Sequence, residues 1–290
     1  MNDTLLELLV HPVSGKALQY DPAVQSLSDG TDVFPVIKGV PVLLPRQADN
    51  EQESFNYRDH YEKDAVAFDY FADWHPVHKE ENRRLHQQIL RQIPADARLI
   101  LDVGCGGAWL ASALVPQGKQ VISMDISTVN PLRAVEVVQA PGHYGLVADV
   151  YSLPLKQGAV DCIVASEIIE HVKDPELFLA CLFNVLKPGG TLIVTTPFNE
   201  TIQQSLCIHC NQLTPHNAHI HSFTREKIKS LAPKMASALR TRTFNSKVLV
   251  NLQLHLLVKF LPFPLWSFID GTFNRLFGKR AMRLMLIVKK

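Results

Sequence analysis

Three groups of residues in this sequence have the types and spacing to do chemistry. The first is LILDVGCGGAW, residues 99–109, where Asp102, Gly104, Cys105, Gly106 and Gly107 follow an apolar run. Glycines lack a Cβ, so such a loop lets backbone come close to a ligand. The second is Ser166-Glu167-Ile168-Ile169-Glu170-His171. If it opens a helical turn, positions i, i+3 and i+4 share one face. Two carboxylates and an imidazole side by side oppose one another unless a cation or a proton sits among them. The third is Cys207-Ile208-His209-Cys210, followed by His216, His219 and His221. Two cysteines and two histidines can form a tetrahedral zinc knot. Free thiols or a redox pair are the other readings. His219 cannot serve both that knot and a metal at Glu170 and His171.

The elements that must position these groups follow from hydrophobic patterning. From residue 98 short apolar strands alternate with helices: Leu99–Val103, Gln120–Asp125, Tyr144–Asp149, Val160–Ser166 and Gly190–Thr196. The clearest helix is DPELFLACLFNVLKPGG, ending at Gly189-Gly190. Continuous apolar strands with helical crossovers predict a parallel sheet covered on both faces. MRLMLIV near the end reads as a last strand. Residues 1–45 read as a small β-rich unit of their own, 46–56 as a polar linker, and 57–290 as the main domain. That domain carries a His/Cys-rich loop at 198–224 and an apolar, lid-like insertion at 247–283.

Composition bounds the rest. At 290 residues, 47% apolar and 20% charged, the chain is an ordinary globular protein, and a net charge of +1 gives no overall pull on nucleic acid. The balance is uneven: nine Lys/Arg stand against one acid from residue 241 onward. Five cysteines argue against a disulfide scaffold. The start MNDTLLELLV lacks the basic, cleavable pattern of a signal peptide, and no stretch is long and apolar enough to span a membrane, so the expected location is cytoplasmic.

In open parallel sheets ligands bind beyond the carboxyl ends of the strands. A dinucleotide fingerprint would need glycine at 109, and Trp109 blocks the close packing that motif requires. Asp102-x-Gly104-x-Gly106 instead resembles the loop of class I S-adenosylmethionine-dependent methyltransferases. VISMDIS, GLVADVYSLP, VDCIVASEIIEHVKDP and LKPGGTLIVTTP carry the same resemblance densely over residues 98–200. It implies an α/β, Rossmann-like, mostly parallel seven-stranded sheet with helices on both faces. It implies S-adenosylmethionine as cofactor. Asp102, Gly104, Cys105 and Gly106 would meet its amino-acid end, Asp125 and Ile126 its ribose, and Asp149 and Val150 its adenine, with Glu167 lining the pocket.

Two metal-dependent groups share the E-x-x-E-H turn with a later histidine: the small-RNA 3′-terminal 2′-O-methyltransferases and the ubiquinone-pathway O-methyltransferases. By that resemblance Glu167, Glu170, His171 and His219 would hold Mg²⁺ or Mn²⁺. The metal-free alternative keeps His171, with Glu170, as catalytic acid–base groups. LLELLVHPVSGKALQYD with VFPVIKGVPVLLP resembles the small zinc-ribbon-like domain of several methyltransferases, but His11-Pro12-Val13-Ser14 stands where that family has cysteines. The resemblance therefore implies that fold without its zinc.

The expected function is O-methylation of a small-molecule or lipid-like hydroxyl, with divalent metal assistance and a structural zinc at Cys207 and Cys210 as open readings. The alternatives are RNA 2′-O-methylation and a non-catalytic, cofactor-binding partner protein. Few basic residues and no recognition motif argue against nucleic acid. The segment 247–283 is read either as a lid or as a peripheral membrane contact.

Overall fold

The computed structural model describes residues 1–46, 56–72, 76–206, 211, 213–252, 254–277 and 280–290. Cys207 and Cys210, and most of the expected linker, lie outside the described residues. Helix α1 (Asp3–Leu8) precedes four short strands, β1 (Gln19–Asp21), β2 (Ser26–Ser28), β3 (Val33–Ile37) and β4 (Val40–Leu43). Helices α2 (Tyr57–Ala67) and α3 (Pro76–Leu90) follow. The alternating part runs β5 (Leu99–Val103), α4 (Trp109–Leu114), β6 (Gln120–Asp125), α5 (Val129–Val137), β7 (His143–Ala148), β8 (Val160–Ser166), α6 (Pro175–Val185) and β9 (Leu186–Pro197). The hairpin β10 (Gln204–Leu206) and β11 (Leu213–Pro215) leads to α7 (Arg225–Ser230) and β12 (Ala238–Ser246). Helices α8 (Lys247–Asn251), α9 (His255–Val258) and α10 (Phe263–Leu276) form the insertion before β13 (Ala281–Lys289).

The sheet has eleven strands, in the order β1-β2-β3-β4-β7-β6-β5-β8-β9-β13-β12. Seven were expected. The extra four are the N-terminal strands: β4 pairs parallel with β7 through Val42 against Val147 and Leu43 against Ala148. Residues 1–45 therefore continue the central sheet, and Leu5, Leu9, Leu27, Phe34 and Leu43 join its core. The turn at His11 is tied by hydrogen bonds. Its Nδ1 accepts from the amides of Val13 and Ser14 (3.1 and 3.0 Å), and Nε2 bonds Asp32 (3.0 Å).

Two local expectations fail for identifiable reasons. Helix α6 stops at Val185 instead of running to Gly189, and Leu186 is already extended. Pro188 disfavours helical geometry at Lys187, so the helix cannot run on and the chain is extended from Leu186. Between β7 and β8 there is no α-helix, only a 3₁₀ turn at Val150–Ser152. The chain leaves β5 toward β6 and β7, then returns to β8 on the other side of β5. That reversal places a crevice at the carboxyl ends of β5 and β8.

Candidate active site

β5 is buried along its whole length and delivers Asp102 and the glycine loop to that crevice. The amides of Gly104 and Cys105 both donate to Met124 O (2.9 and 3.1 Å), which fastens the loop to the end of β6. Gly104 has φ +71°, and a Cβ there would lie 2.2 Å from the Ile168 side chain. A Cβ on Gly107 would lie 2.5 Å from the Tyr70 carbonyl oxygen. Asp102 is 2% exposed, and its Oδ2 has no hydrogen-bond partner. Burial, with the neighbouring Asp125 charge, pushes its carboxyl up to about 8. A cationic ligand beside it would relieve that cost. Cys105 is also buried, its thiol pushed far above the usual range, so it contributes backbone and not a nucleophile.

Asp125 ends β6 and accepts from Ser127 N (2.9 Å) and Asn130 Nδ2 (3.1 Å). Each carboxylate oxygen keeps a further lone pair for a ribose hydroxyl. Asp149, after β7, is 2% exposed. Its Oδ1 accepts from Tyr151 N (3.0 Å), and its Oδ2 accepts from the Tyr57 hydroxyl and from Arg58 Nη2 (3.0 Å). Ile126 and Val150 are half-buried beside these two acids. Glu62 accepts from the Thr128 amide (2.7 Å) and from its hydroxyl. Helix α2 thus lies across the side of the crevice that carries Asp149 and the loop after β6.

The sequence reading missed Tyr57, Arg58, Tyr61 and Glu62. Helix α2 buries only Ala65, so it lacks the apolar stripe that marks a core helix. The cluster of aromatic residues at 57–71 was its one signal.

The expected common face of Glu167, Glu170 and His171 breaks at Glu167. Its φ is +58°, so the turn begins after it, closed by His171 N donating to Ile168 O (3.0 Å). Glu167 instead pairs with Arg283 from β13 (2.6 Å), leaving Oε1 buried without a partner. Glu170, His171 and His219 do converge, with one ligand atom from each within 4.8 Å of the others. The structure brings together three of the four expected metal ligands and holds the fourth in an ion pair.

His219 arrives on a loop clamped to the turn, because the amides of Ile220 and His221 donate to Glu170 O (2.9 and 3.1 Å). Glu200 holds His219 Nδ1 at 2.7 Å. An N–H donated there leaves Nε2 with its lone pair. Glu200 was also missed, since its role depends on where His219 falls. Glu170 is 1% exposed and neither of its oxygens has a partner. Burial and the Glu167 charge push its carboxyl well above the usual range. Burial, and then His219, lower His171 to about 4, and its Nδ1 is also unpartnered. Tyr61 adds another buried hydroxyl without a partner, its ring edge-on to His171 at 6.1 Å.

These orphaned atoms test what the crevice can hold. Buried polar groups are ordinarily paired. One carboxylate and two imidazoles fit a divalent cation, and the mixed oxygen and nitrogen set suits Mn²⁺, Zn²⁺ or Fe²⁺ as well as Mg²⁺. The glycine loop and buried Asp102 fit a cofactor with a cationic amino-acid end. His219 sits at Glu170, whereas the expected zinc ligands Cys207 and Cys210 lie outside the described residues. His216 is exposed beside Ser205 (3.4 Å).

Comparison with known proteins adds a family. A family model described as "Methyltransferase domain" matches residues 74–235. The human mitochondrial ubiquinone biosynthesis O-methyltransferase is 41% identical over 146 residues, 43% of this chain and 38% of that protein. The ubiquinone biosynthesis O-methyltransferase of Xylella fastidiosa is 33% identical over 137 residues, 44% and 52% of the two chains. In these pairs the matched region spans 38% and 52% of the relative's length. Among solved structures, an S-adenosylmethionine-dependent methyltransferase from Mesorhizobium loti aligns with TM-score 0.52 at 16% identity, over 73% of this chain and 100% of that one. Haemonchus contortus phosphoethanolamine N-methyltransferase 2 in complex with S-adenosyl-L-methionine also gives 0.52 at 16% identity, over 82% and 61%. At such identity these structures show a shared fold.

Proposed function

The chain belongs to the methyltransferase-domain family, and from that premise we propose that it is an S-adenosylmethionine-dependent O-methyltransferase acting on a hydroxyl of a small or lipid-like molecule. One observation carries the reading: Glu170, His171 and His219 converge, with open ligand atoms, beside the glycine-loop crevice. The relatives named ubiquinone biosynthesis O-methyltransferase support a hydroxyl as the acceptor class.

The residues divide the work. Asp102, Gly104 and Gly106 would hold the amino-acid end of the cofactor, Asp125 its ribose, and Asp149 with Val150 its adenine. Bound S-adenosylmethionine supplies an electrophilic methyl on sulfur. A divalent ion at Glu170, His171 and His219 would supply Lewis acidity that lowers the pKa of an acceptor hydroxyl. Burial keeps His171 neutral at pH 7, so in a metal-free site its unpartnered Nδ1 can take the acceptor proton. Helix α2 excludes water from the cofactor side and fixes orientation, which is where much of such a rate enhancement arises. Arg283 balances Glu167, so the site does not carry two uncompensated acids in contact. In the same proposal residues 1–45 are a ribbon-like unit without metal cysteines, its turn held by His11 and its job the support of β7.

A calorimetric titration with S-adenosylhomocysteine, without and then with Mn²⁺, tests the reading. Micromolar binding without metal is expected. Absence of binding under both conditions overturns it and leaves a partner protein that keeps the fold. Glu170→Ala and His219→Ala should each remove metal-dependent turnover; a wild-type rate unchanged by chelator refutes the metal role and leaves His171 as the base.

A further inference from the structure

Large exposed apolar side chains are unevenly spread over this protein. Leu252, Leu257, Phe260, Phe268, Leu276 and Phe277 are all exposed within the insertion between β12 and β13. Phe260 is 82% exposed and Phe268 72%. Single exposed apolar residues are ordinary, but a concentration of them marks an interaction surface.

Helix α10 shows how this face is built. Its inner stripe carries Trp266, Asp270 and Asn274, all buried. Asp270 accepts from Asn245 N (3.1 Å), Ser246 N (2.7 Å) and Asn274 Nδ2 (3.0 Å), which fastens the helix to the end of β12. Arg84, itself buried, donates to the carbonyls of Lys259 (2.9 Å) and Leu261 (3.2 Å) and so holds the turn before α10. The outer stripe carries Leu265, Phe268, Thr272 and Leu276, which fall within about 80° of arc at 100° per residue. The Thr272 hydroxyl donates to Phe268 O (2.8 Å), so the polar member of that stripe is satisfied inside the helix. The apolar face is therefore held outward by a pinned scaffold.

Charge says what covers it. The sole acid of the insertion, Asp270, is turned inward, whereas Arg275 and Arg280 are exposed. Lys259 sits over the Phe260 ring (4.9 Å). Exposed aromatics rimmed by cations, with no exposed acid among the described residues of the segment, match a surface of anionic lipid headgroups. No helix among the described residues is long and apolar enough to cross a membrane, so the contact is peripheral.

Position ties this face to the site. β9 and β12 both pair antiparallel with β13, so both end at the edge of the sheet that holds Glu170 and His171. The hairpin after β9 exposes the cross-strand pair Leu206 and Leu213 at that same edge.

We propose that the outer face formed by Leu252, Leu257, Phe260, Phe268 and Leu276 seats on an anionic lipid surface, so that the chain takes an acceptor dissolved in that surface. The second clause rests on the O-methyltransferase reading; the first does not. The test is sedimentation of the full chain with phosphatidylcholine vesicles and with vesicles containing phosphatidylglycerol, at low and high salt. Co-sedimentation with the anionic vesicles alone, weakened by salt, is expected. Arg275→Gln with Arg280→Gln should reduce partitioning roughly thirtyfold, since each cation near such a surface is worth about fivefold. Phe260→Glu with Phe268→Glu should reduce it further while S-adenosylhomocysteine binding stays unchanged, which shows that the variant is folded. Absence of sedimentation at low salt overturns the proposal. So does a wild-type dimer that the Phe variant converts to monomer, because the face would then be a contact between copies. Vesicle binding without turnover on any hydroxyl acceptor leaves the surface intact and fails only the enzymatic reading.

Discussion

The two halves of the crevice are satisfied to different degrees. On the side proposed for ribose and adenine the acids already have partners: Asp125 holds Ser127 and Asn130, and Asp149 holds Tyr57, Arg58 and Tyr151. On the acceptor side Glu170, His171 and Tyr61 are buried with open polar atoms. The first half is a recess built from strand ends and covered by α2, with Asp102 Oδ2 still open at the glycine loop. The second is a set of ligand atoms brought together before anything satisfies them. A buried group without a partner costs free energy that a bound ion, proton or acceptor returns. The acceptor half should therefore be where chemistry, and not shape, is sensitive to substitution.

The strongest way to break this contrast is His171→Ala. Turnover should fall roughly a hundredfold to ten-thousandfold, the range for a positioned acid–base group, while the S-adenosylhomocysteine Kd stays within about threefold. Parallel loss of cofactor affinity would show that the halves are one unit. Gly104→Ala attacks the other half. Its positive φ and the approach of Ile168 predict a penalty of about 1–2 kcal/mol, read as roughly tenfold weaker cofactor binding. Weakened turnover at saturating cofactor, with Kd unchanged, would contradict the assignment. Tyr57→Phe removes one hydrogen bond to Asp149 and should weaken cofactor binding about fivefold, from about 1 kcal/mol for such a bond. Tighter binding would instead mean that α2 competes with the adenine.

The mildest probe changes no residue. Asp102 is raised from 3.8 to about 8 by burial. Between those values the folded protein keeps a proton that the unfolded chain has lost, so this contribution to stability declines as pH rises from about 4 to 8. A cationic cofactor beside the carboxylate would lower that pKa. Binding at pH 7 should therefore release about one proton, measured by calorimetry in buffers of different ionisation enthalpy. Asp102→Asn should abolish the release; equal release from that variant would place the proton elsewhere.

The sequence by itself determined the parts that depend on neighbours along the chain. The apolar runs of β5 to β9, the glycines that must come close to a ligand, and the acids at the strand ends are local, and the structure places them at one carboxyl edge. Glu170 and His171 were legible for the same reason, as adjacent residues on one turn. What the tertiary structure decided are relations between distant segments. Only the φ of +58° at Glu167, with Arg283 in reach from the last strand, separates Glu167 from Glu170. Only the loop clamped to Glu170 O selects His219 over His216 and His221, and gives Glu200 its role. Helix α2 escaped because it covers a crevice and not a core, so its sequence carries no apolar stripe. The eleven-stranded sheet escaped because two Cα partner pairs between β4 and β7 join segments about a hundred residues apart. Periodicity records what a segment does with its own neighbours, while pairing and ion contacts across the fold are set by which surfaces the packed chain brings together.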